Sequence, residues 1–451
     1  MENIKKRIRL SPSTKIILGF LGIILLGAFL LSLPISNNNG LWFNFFDSLF
    51  TSTSAVCVTG LTVVDIATQF NLFGQIILLL LIQLGGLGIV AITSLIFLIL
   101  GKKINLSSRL TIQESLNKDT LQGVVKFIKK SIIITFIIEG IGALLLLYST
   151  TTYFGHFGKG LFGAIFLSVS AFCNAGFDIL GNEQAQFLSL SNFTSDILML
   201  LPIMFLVVLG GIGFVVLIDG FKNIKTKQHT KIVLWITGIL IILGTVLFLI
   251  FEWNNNDTIG SMSFGEKILN ALFQSVSPRT AGFASIDQSA LTNGSTITTI
   301  FLMLIGGSPN STAGGIKTTT FFVLLLFLFK TSNENNDIVY RDRKLSVKII
   351  SKALKIVLYT LISLIIACCL IRIIEPNSIS LGAIIFECTS AICTVGLSTG
   401  ITPTLAFGSK LILILLMFIG RVGMATIALI VSSKHHTNNN IEYTNTDIII
   451  G

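Results

Sequence analysis

Long apolar runs alternate along this chain with shorter, mixed ones. Eight apolar runs stand out, at about 14–33, 72–100, 127–148, 195–218, 232–251, 296–329, 349–373 and 406–432. A helix needs about 20 apolar residues to cross a bilayer core, so the pattern predicts eight spanning helices. Between the members of each successive pair lies a partly polar segment, at 44–56, 160–172, 264–277 and 380–392. At about 1.5 Å per residue such a segment reaches only ~20 Å. These four predict half-helices that dip into the membrane and return.

The half-helices share a signature: "FTSTS" (50–54), "FLSVS" (166–170), "FQSVS" (273–277) and "FECTS" (386–390). A short loop follows each, ending in Gly60, Gly176, Gly282 and Gly396, which are 116, 106 and 114 residues apart. The second long helix of each unit carries "LGGLG" (84–88), "LGGIG" (209–213), "IGGSP" (305–309) or "IGRVG" (419–423). Small residues of this kind let helices approach closely. A period near 110 is an internal fourfold repeat. The predicted fold is an all-α polytopic membrane protein, four pseudo-repeats of helix, pore half-helix, filter loop and helix around one central pore. The units are 1–100, 101–220, 221–330 with a broken second helix, and 331–451 with a C-terminal tail.

Composition agrees with the pattern. The chain is 52% hydrophobic and 12% charged, where a soluble domain carries about a quarter charged residues. The first run is too long for a signal-peptide core and has no A-x-A site before "ISNNNG", which predicts a retained helix. The net charge of +10 is unevenly spread: 24 of 31 Lys and Arg fall in 1–15, 102–130, 222–231, 330–355 and the C-terminal tail. Lys159, Lys267, Arg279, Arg372 and Lys410 are assigned to the opposite side. Basic residues concentrated in alternate loops predict cytoplasmic termini rather than a nucleic-acid partner. The six cysteines form no metal-binding spacing and are expected to be reduced thiols.

Irregular backbone at membrane depth is tolerated only where it is buried in protein or lines water. Four glycine loops should therefore surround one aqueous path. Their main-chain oxygens can replace the hydration shell of an alkali cation, and half-helix C-termini aimed at the path favour positive charge. The candidate filter residues are Val58, Thr59, Gly60, Asn174, Ala175, Gly176, Thr280, Ala281, Gly282, Thr394, Val395 and Gly396. The third loop is one residue shorter and lacks the cysteine of Cys57, Cys173 and Cys393. Its subsite is expected to differ from the other three.

Two second helices are unusual. Glycines and Pro309 interrupt the one at 296–329 with Gly306, Gly307, Ser308, Pro309, Asn310, Ser311, Thr312, Ala313, Gly314 and Gly315. Each glycine weakens a helix by about 1 kcal/mol and proline by about 3, so a break in mid-membrane is expected. In the last helix Arg421 replaces the glycine of positions 86, 211 and 307. An arginine there costs ~3 kcal/mol unless it faces a pore or partner. The rival reading is an ion pair with Glu139 or Asp219. Lys317 lies just past the break and is long enough to snorkel. Glu387 reads as a hydrogen-bonded structural carboxylate, and His156, His229, His435 and His436 as ordinary loop histidines.

These features together resemble the Trk/Ktr/HKT superfamily of potassium transporters, most closely the ion-translocating membrane subunit of bacterial Ktr systems. The resemblance rests on the four loops, on "GGSPNSTAGGIKTTT" (306–320) and on Arg421. It implies K⁺ uptake across the bacterial cell membrane, selected by glycine in all four loops and gated by 306–315, Lys317 and Arg421. It further implies Na⁺ stimulation, a homodimer, and a cytosolic ring of nucleotide-binding RCK-type regulatory subunits. No metal beyond filter K⁺, no covalent cofactor and no nucleic acid is expected. The alternative within transport is a sodium-selective or poorly selective monovalent cation uniporter. A membrane sensor would not need four like loops. An enzyme would need a nucleophile or metal set; H-E-x-x-H and Walker A motifs are absent, and the one G-x-S-x-G match, "GLSTG" (396–400), overlaps the fourth glycine loop and lacks the strand-to-helix turn that motif needs.

Overall fold

The computed structural model describes residues 12–88, 123–220, 227–329, 338–340 and 343–423. The predicted unit boundaries near 100, 220 and 330 fall at or within the remaining stretches, as do His435, His436 and many of the Lys and Arg that set the predicted orientation. Among the described residues the regular elements are helices joined by loops, apart from a two-residue pairing of Val339–Tyr340 (β1) with Arg343–Lys344 (β2).

In chain order the helices are α1 (Pro12–Ser32), α2 (Phe45–Cys57), α3 (Ile66–Gln69), α4 (Leu72–Leu87), α5 (Val124–Phe154) and α6 (Phe157–Cys173). Then come α7 (Ile197–Ile212), α8 (Phe214–Gly220), α9 (Gln228–Glu252), α10 (Phe264–Val276) and α11 (Asn293–Leu304). The last four are α12 (Thr318–Phe329), α13 (Val347–Ile374), α14 (Leu381–Ile392) and α15 (Phe407–Val422). Thr14–Ser32 of α1, together with α5, α9 and α13, is long and apolar enough to cross a membrane. Helices α7 and α8 meet at a bend of 101°. Helices α4 and α15 are followed only to Leu87 and Val422, with undescribed residues just beyond.

The four long helices turn most of their apolar surface outward: at most 39% of the most apolar stretch in any of them is buried. The interior is built of apolar clusters, and hydroxyl side chains are buried among them. Ser52, Ser54, Thr59, Ser168, Ser170, Ser275, Thr280, Thr312 and Ser390 are all shielded from solvent. Burying hydroxyls is costly unless they are hydrogen-bonded, and most of these side chains fasten one backbone to another.

The half-helices α2, α6, α10 and α14 lie where the mixed segments predict them. Each starts on a cap that satisfies free N–H groups. Asn44 accepts from Phe46 N at 2.8 Å, His156 Nδ1 from Gly158 N at 3.1 Å, and Ser380 from Ala383 N at 3.2 Å. Ser263 and Glu266 form a capping box on α10. Three half-helices then dock on the long helix before them through the middle serine of the shared signature. Ser52 Oγ donates to Ile24 O (2.8 Å), Ser168 Oγ to Glu139 O (2.7 Å) and Ser275 Oγ to Ile241 O (2.7 Å). Opposite them stand Gly27, Gly142 and Gly244, where a Cβ would strike the serine hydroxyl. The fourth unit has Cys388 at this place.

Candidate functional site

The last serine of each signature holds the loop that follows. Thr59 N donates to Ser54 O, Ala175 N to Ser170 O and Val395 N to Ser390 O, all at 2.8 Å. The shorter third loop makes the same link with one residue fewer, Ala281 N to Ser277 O at 2.9 Å. The serine hydroxyls add a second hold. Ser54 Oγ accepts from Gly60 N (3.0 Å), Ser390 Oγ from Gly396 N (3.0 Å) and Ser170 Oγ from Phe177 N (2.9 Å). In the third unit the direction reverses, and Ser277 Oγ donates to Phe283 O.

These bonds force one residue per loop into the left-handed region: Val58 (φ 56°), Asn174 (58°), Thr280 (71°) and Thr394 (51°). Three of them are β-branched, for which this conformation is a strained outlier. Such strain costs about 1–3 kcal/mol per residue and persists only where the surroundings over-determine it.

Two residues further on, the glycines meet. A Cβ on Gly60 would come within 2.5 Å of Ala175 O, one on Gly176 within 2.7 Å of Ala281 O, and one on Gly282 within 2.5 Å of Val395 O. On Gly396 it would strike Thr59 O, closer still. Each glycine thus abuts the residue before the next glycine, in cyclic order, and the fourth closes on the first. Positive φ at all four (96°, 67°, 79° and 97°) adds a second reason for glycine here. Eight of the predicted filter residues, Thr59, Ala175, Ala281, Val395 and the four glycines, therefore meet in one ring, and Val58, Asn174, Thr280 and Thr394 stand two residues before each glycine.

The second helices pack directly behind it. A Cβ on Gly85, Gly210 or Gly420 would collide with Val56 O, Phe172 O or Ile392 O, at the ends of three half-helices.

The predicted break lies between α11 and α12, and it runs across the ring on the side of the half-helix ends. It is closed at its base: Gly306 N donates to Ile316 O and Ile316 N to Leu304 O, both at 3.1 Å. From there it is tied directly to the second and fourth units, and through Arg421 to the first. Ser308 N and Thr312 N donate to Gly211 O (2.8 Å) and Gly210 O (3.3 Å), and Asn310 O accepts from Phe214 N (2.9 Å) in the bend between α7 and α8. Thr312 Oγ1 donates to Phe172 O at 3.0 Å beside the Asn174 amide. A Cβ on Gly314 would strike the Thr394 hydroxyl. Arg421 Nη1 donates to Thr312 O at 2.5 Å, and its Nη2 donates to Gly85 O and, at 3.3 Å, to Gly86 O. Beyond the loop opens a cavity of about 500 Å³, lined by Phe20, Pro309, Asn310, Ser311, Lys317 and Arg421 and by none of the ring glycines.

Residues 22–443 match the family described as TrkH, cation transport protein. The chain belongs to this family of transporters. It is 38% identical to the potassium/sodium uptake protein NtpJ of Enterococcus hirae, with all of both chains aligned. It is 38% identical to the Ktr system potassium uptake protein B of Bacillus subtilis, over 100% of this chain and 99% of that protein. The corresponding protein of Vibrio alginolyticus is 35% identical over 94% of this chain and 91% of its own length. The potassium transporter TrkH of Vibrio parahaemolyticus has the same fold, with a TM-score of 0.68 over 94% of this chain and 86% of that one at 18% identity. These are transporters, not enzymes.

Several side chains of this TrkH-family chain sit differently from what the sequence suggests. The rival ion pair for Arg421 is not formed: among the described residues it binds carbonyl oxygens, while Asp219 binds Lys227 at 3.2 Å and Glu139 accepts from Gln83 Nε2 at 3.2 Å. Lys317 folds back and donates to Ala313 O at 2.6 Å instead of snorkelling away. Arg279, assigned to an outer loop by charge counting, is only 7% exposed within the third ring loop. Glu387 behaves as expected, accepting from Ser398 Oγ (2.6 Å), Thr399 N (3.0 Å) and Thr402 Oγ1 (2.8 Å). The docking role of Ser52, Ser168 and Ser275 was not read from the sequence, although their fourfold placement was the available signal.

Proposed function

We propose that this chain carries K⁺ into the cell through the ring of glycine loops, channel-like and down the membrane potential. The filter is formed by main-chain oxygens of Val58, Thr59, Asn174, Ala175, Thr280, Ala281, Thr394 and Val395 and of the four glycines. The cyclic approach of Gly60, Gly176, Gly282 and Gly396 carries this reading, because it brings carbonyl groups of all four units to one place. Four half-helices that end within a few residues of the ring add favourable dipole ends for a cation. A negative interior supplies about 2.3 kcal/mol per charge per 100 mV. The potassium named in the relatives supports the choice of ion.

Residues 306–315, with Lys317 and Arg421, form the gate in this reading. The chain crosses the bacterial membrane eight times in four pseudo-repeats, with both termini cytoplasmic and α4, α7–α8, α11–α12 and α15 contributing to the second crossings. By family resemblance it works as a homodimer with a cytosolic nucleotide-binding ring, and the word "system" in two relatives' names supports a separate partner. Sodium stimulation, or a less selective passage, is the second reading, favoured by the potassium/sodium naming of the Enterococcus relative.

The test is uptake of ⁸⁶Rb⁺ into proteoliposomes loaded with K⁺ and holding the purified full chain. Label should accumulate and be displaced by external K⁺ far better than by Na⁺. Equal displacement by the two ions favours the less selective reading. No accumulation overturns transport through the ring.

A further inference from the structure

Arg279 is buried, whereas Arg421 is only partly so, and the function as stated does not use it. It lies in the third ring loop next to strained Thr280, three residues past the end of α10. Its Nη2 donates to Gly306 O at 3.3 Å, and its buried Nε has no partner. No ion pair joins it to an acid among the described residues. Its side chain borders a small void with Val207, Gly211, Thr237, Ile241 and Gly307, where α7, α9 and the broken helix meet. A buried guanidinium is expensive unless its donors are used, so a single carbonyl is a demanding partner to leave.

That carbonyl belongs to the base of the interrupting loop. Gly306 N closes the base on Ile316 O, and a Cβ on Gly306 would meet both Gly314 O and the Thr280 methyl. The two arginines therefore hold the same loop at opposite ends, Arg421 at Thr312 O near its tip and Arg279 at Gly306 O at its root. Only Arg279 does so from within the ring itself.

We propose that Arg279 is a positioning residue, a latch that keeps the root of loop 306–315 seated and links the loop's position to that of the third ring loop. This rests on reading 306–315 as the gate. Losing the latch frees the loop, so K⁺ passes more readily. Through Thr280, movement of the third ring loop is felt at Gly306.

The experiment is a cycle of ⁸⁶Rb⁺ fluxes in proteoliposomes with four full-length proteins: wild type, Arg279→Gln, deletion of 310–314, and the two combined. A fifth protein, Arg279→Lys, retains a donor of the same charge. Arg279→Gln should raise flux about three- to tenfold, equivalent to ~0.6–1.4 kcal/mol, below the usual weight of a charged hydrogen bond because the contact to Gly306 O is long at 3.3 Å. The same change should add nothing in the deletion background, because the obstructing part of the loop whose root it holds is gone. Arg279→Lys should lie nearer to wild type, and it carries the test if Arg279→Gln does not fold. Unchanged or lower flux in Arg279→Gln, or an equal effect in both backgrounds, overturns the latch while leaving the gate intact. If the deletion itself fails to raise flux, the gate reading falls and the latch with it.

Discussion

The ring and the loop that crosses it are held in opposite ways. The ring is fixed by the same local bond made four times: a serine carbonyl at a half-helix end accepts an N–H a few residues on. Serine hydroxyls and helix docking reinforce it. The crossing loop is fixed by contacts that differ at each point and come from residues distant in sequence, including Arg421, Gly210, Gly211 and Arg279. Repeated local bonds give a part that must not change shape. Scattered single bonds give a part that can be released one contact at a time. The ring suits selection and the loop suits gating.

The contrast can be broken most sharply at the ring. Gly60→Ser places a side chain against Ala175 O at a φ of 96°. K⁺ preference over Na⁺ in competition uptake should fall about tenfold or more, equivalent to ~1.4 kcal/mol. Unchanged preference would separate the ring from selection. Deletion of 310–314 should raise ⁸⁶Rb⁺ flux several-fold while leaving that preference in place. Lower flux from a well-folded protein would make the loop structural.

A smaller rise, about two- to fivefold, is expected for Arg421→Gln, which weakens the hold on Thr312 O and Gly85 O but leaves the other ties. A flux equal to wild type would mean those bonds serve only packing. The smallest effect should come from Ser54→Ala, which removes one of two holds on its loop. One neutral hydrogen bond is worth about 1 kcal/mol. K⁺ preference should drop no more than about fivefold, with flux retained. A loss as large as that from Gly60→Ser would show that the two holds do not share the load.

Much of the ring was legible in the sequence because its demands are local and repeated. A backbone that must approach another backbone calls for glycine, a half-helix end that must grip its own loop calls for serine, and each demand recurs in four places. The break at 306–315 was legible for a similar reason, since Pro309 and four glycines contradict helix chemistry directly. The partners of isolated charges were not. Charge counting places Arg279 with the outer loops because it treats each lysine and arginine as a topological marker, and burial against one carbonyl leaves no trace in spacing. Arg421 could be read as buried but not matched, because its acceptors are backbone oxygens that every sequence contains. Glu139, one of the two acids in the rival reading of Arg421, is bound by Gln83 instead.

The residues in the left-handed position are valine, asparagine, threonine and threonine, one in each quarter of a single polypeptide. In an assembly of four identical chains, any codon change would alter all the corners at once. Here it alters one. Covalent continuity thus lets inheritance adjust the passage a corner at a time, and three unaltered corners can buffer a substitution that would be ruinous in quadruplicate.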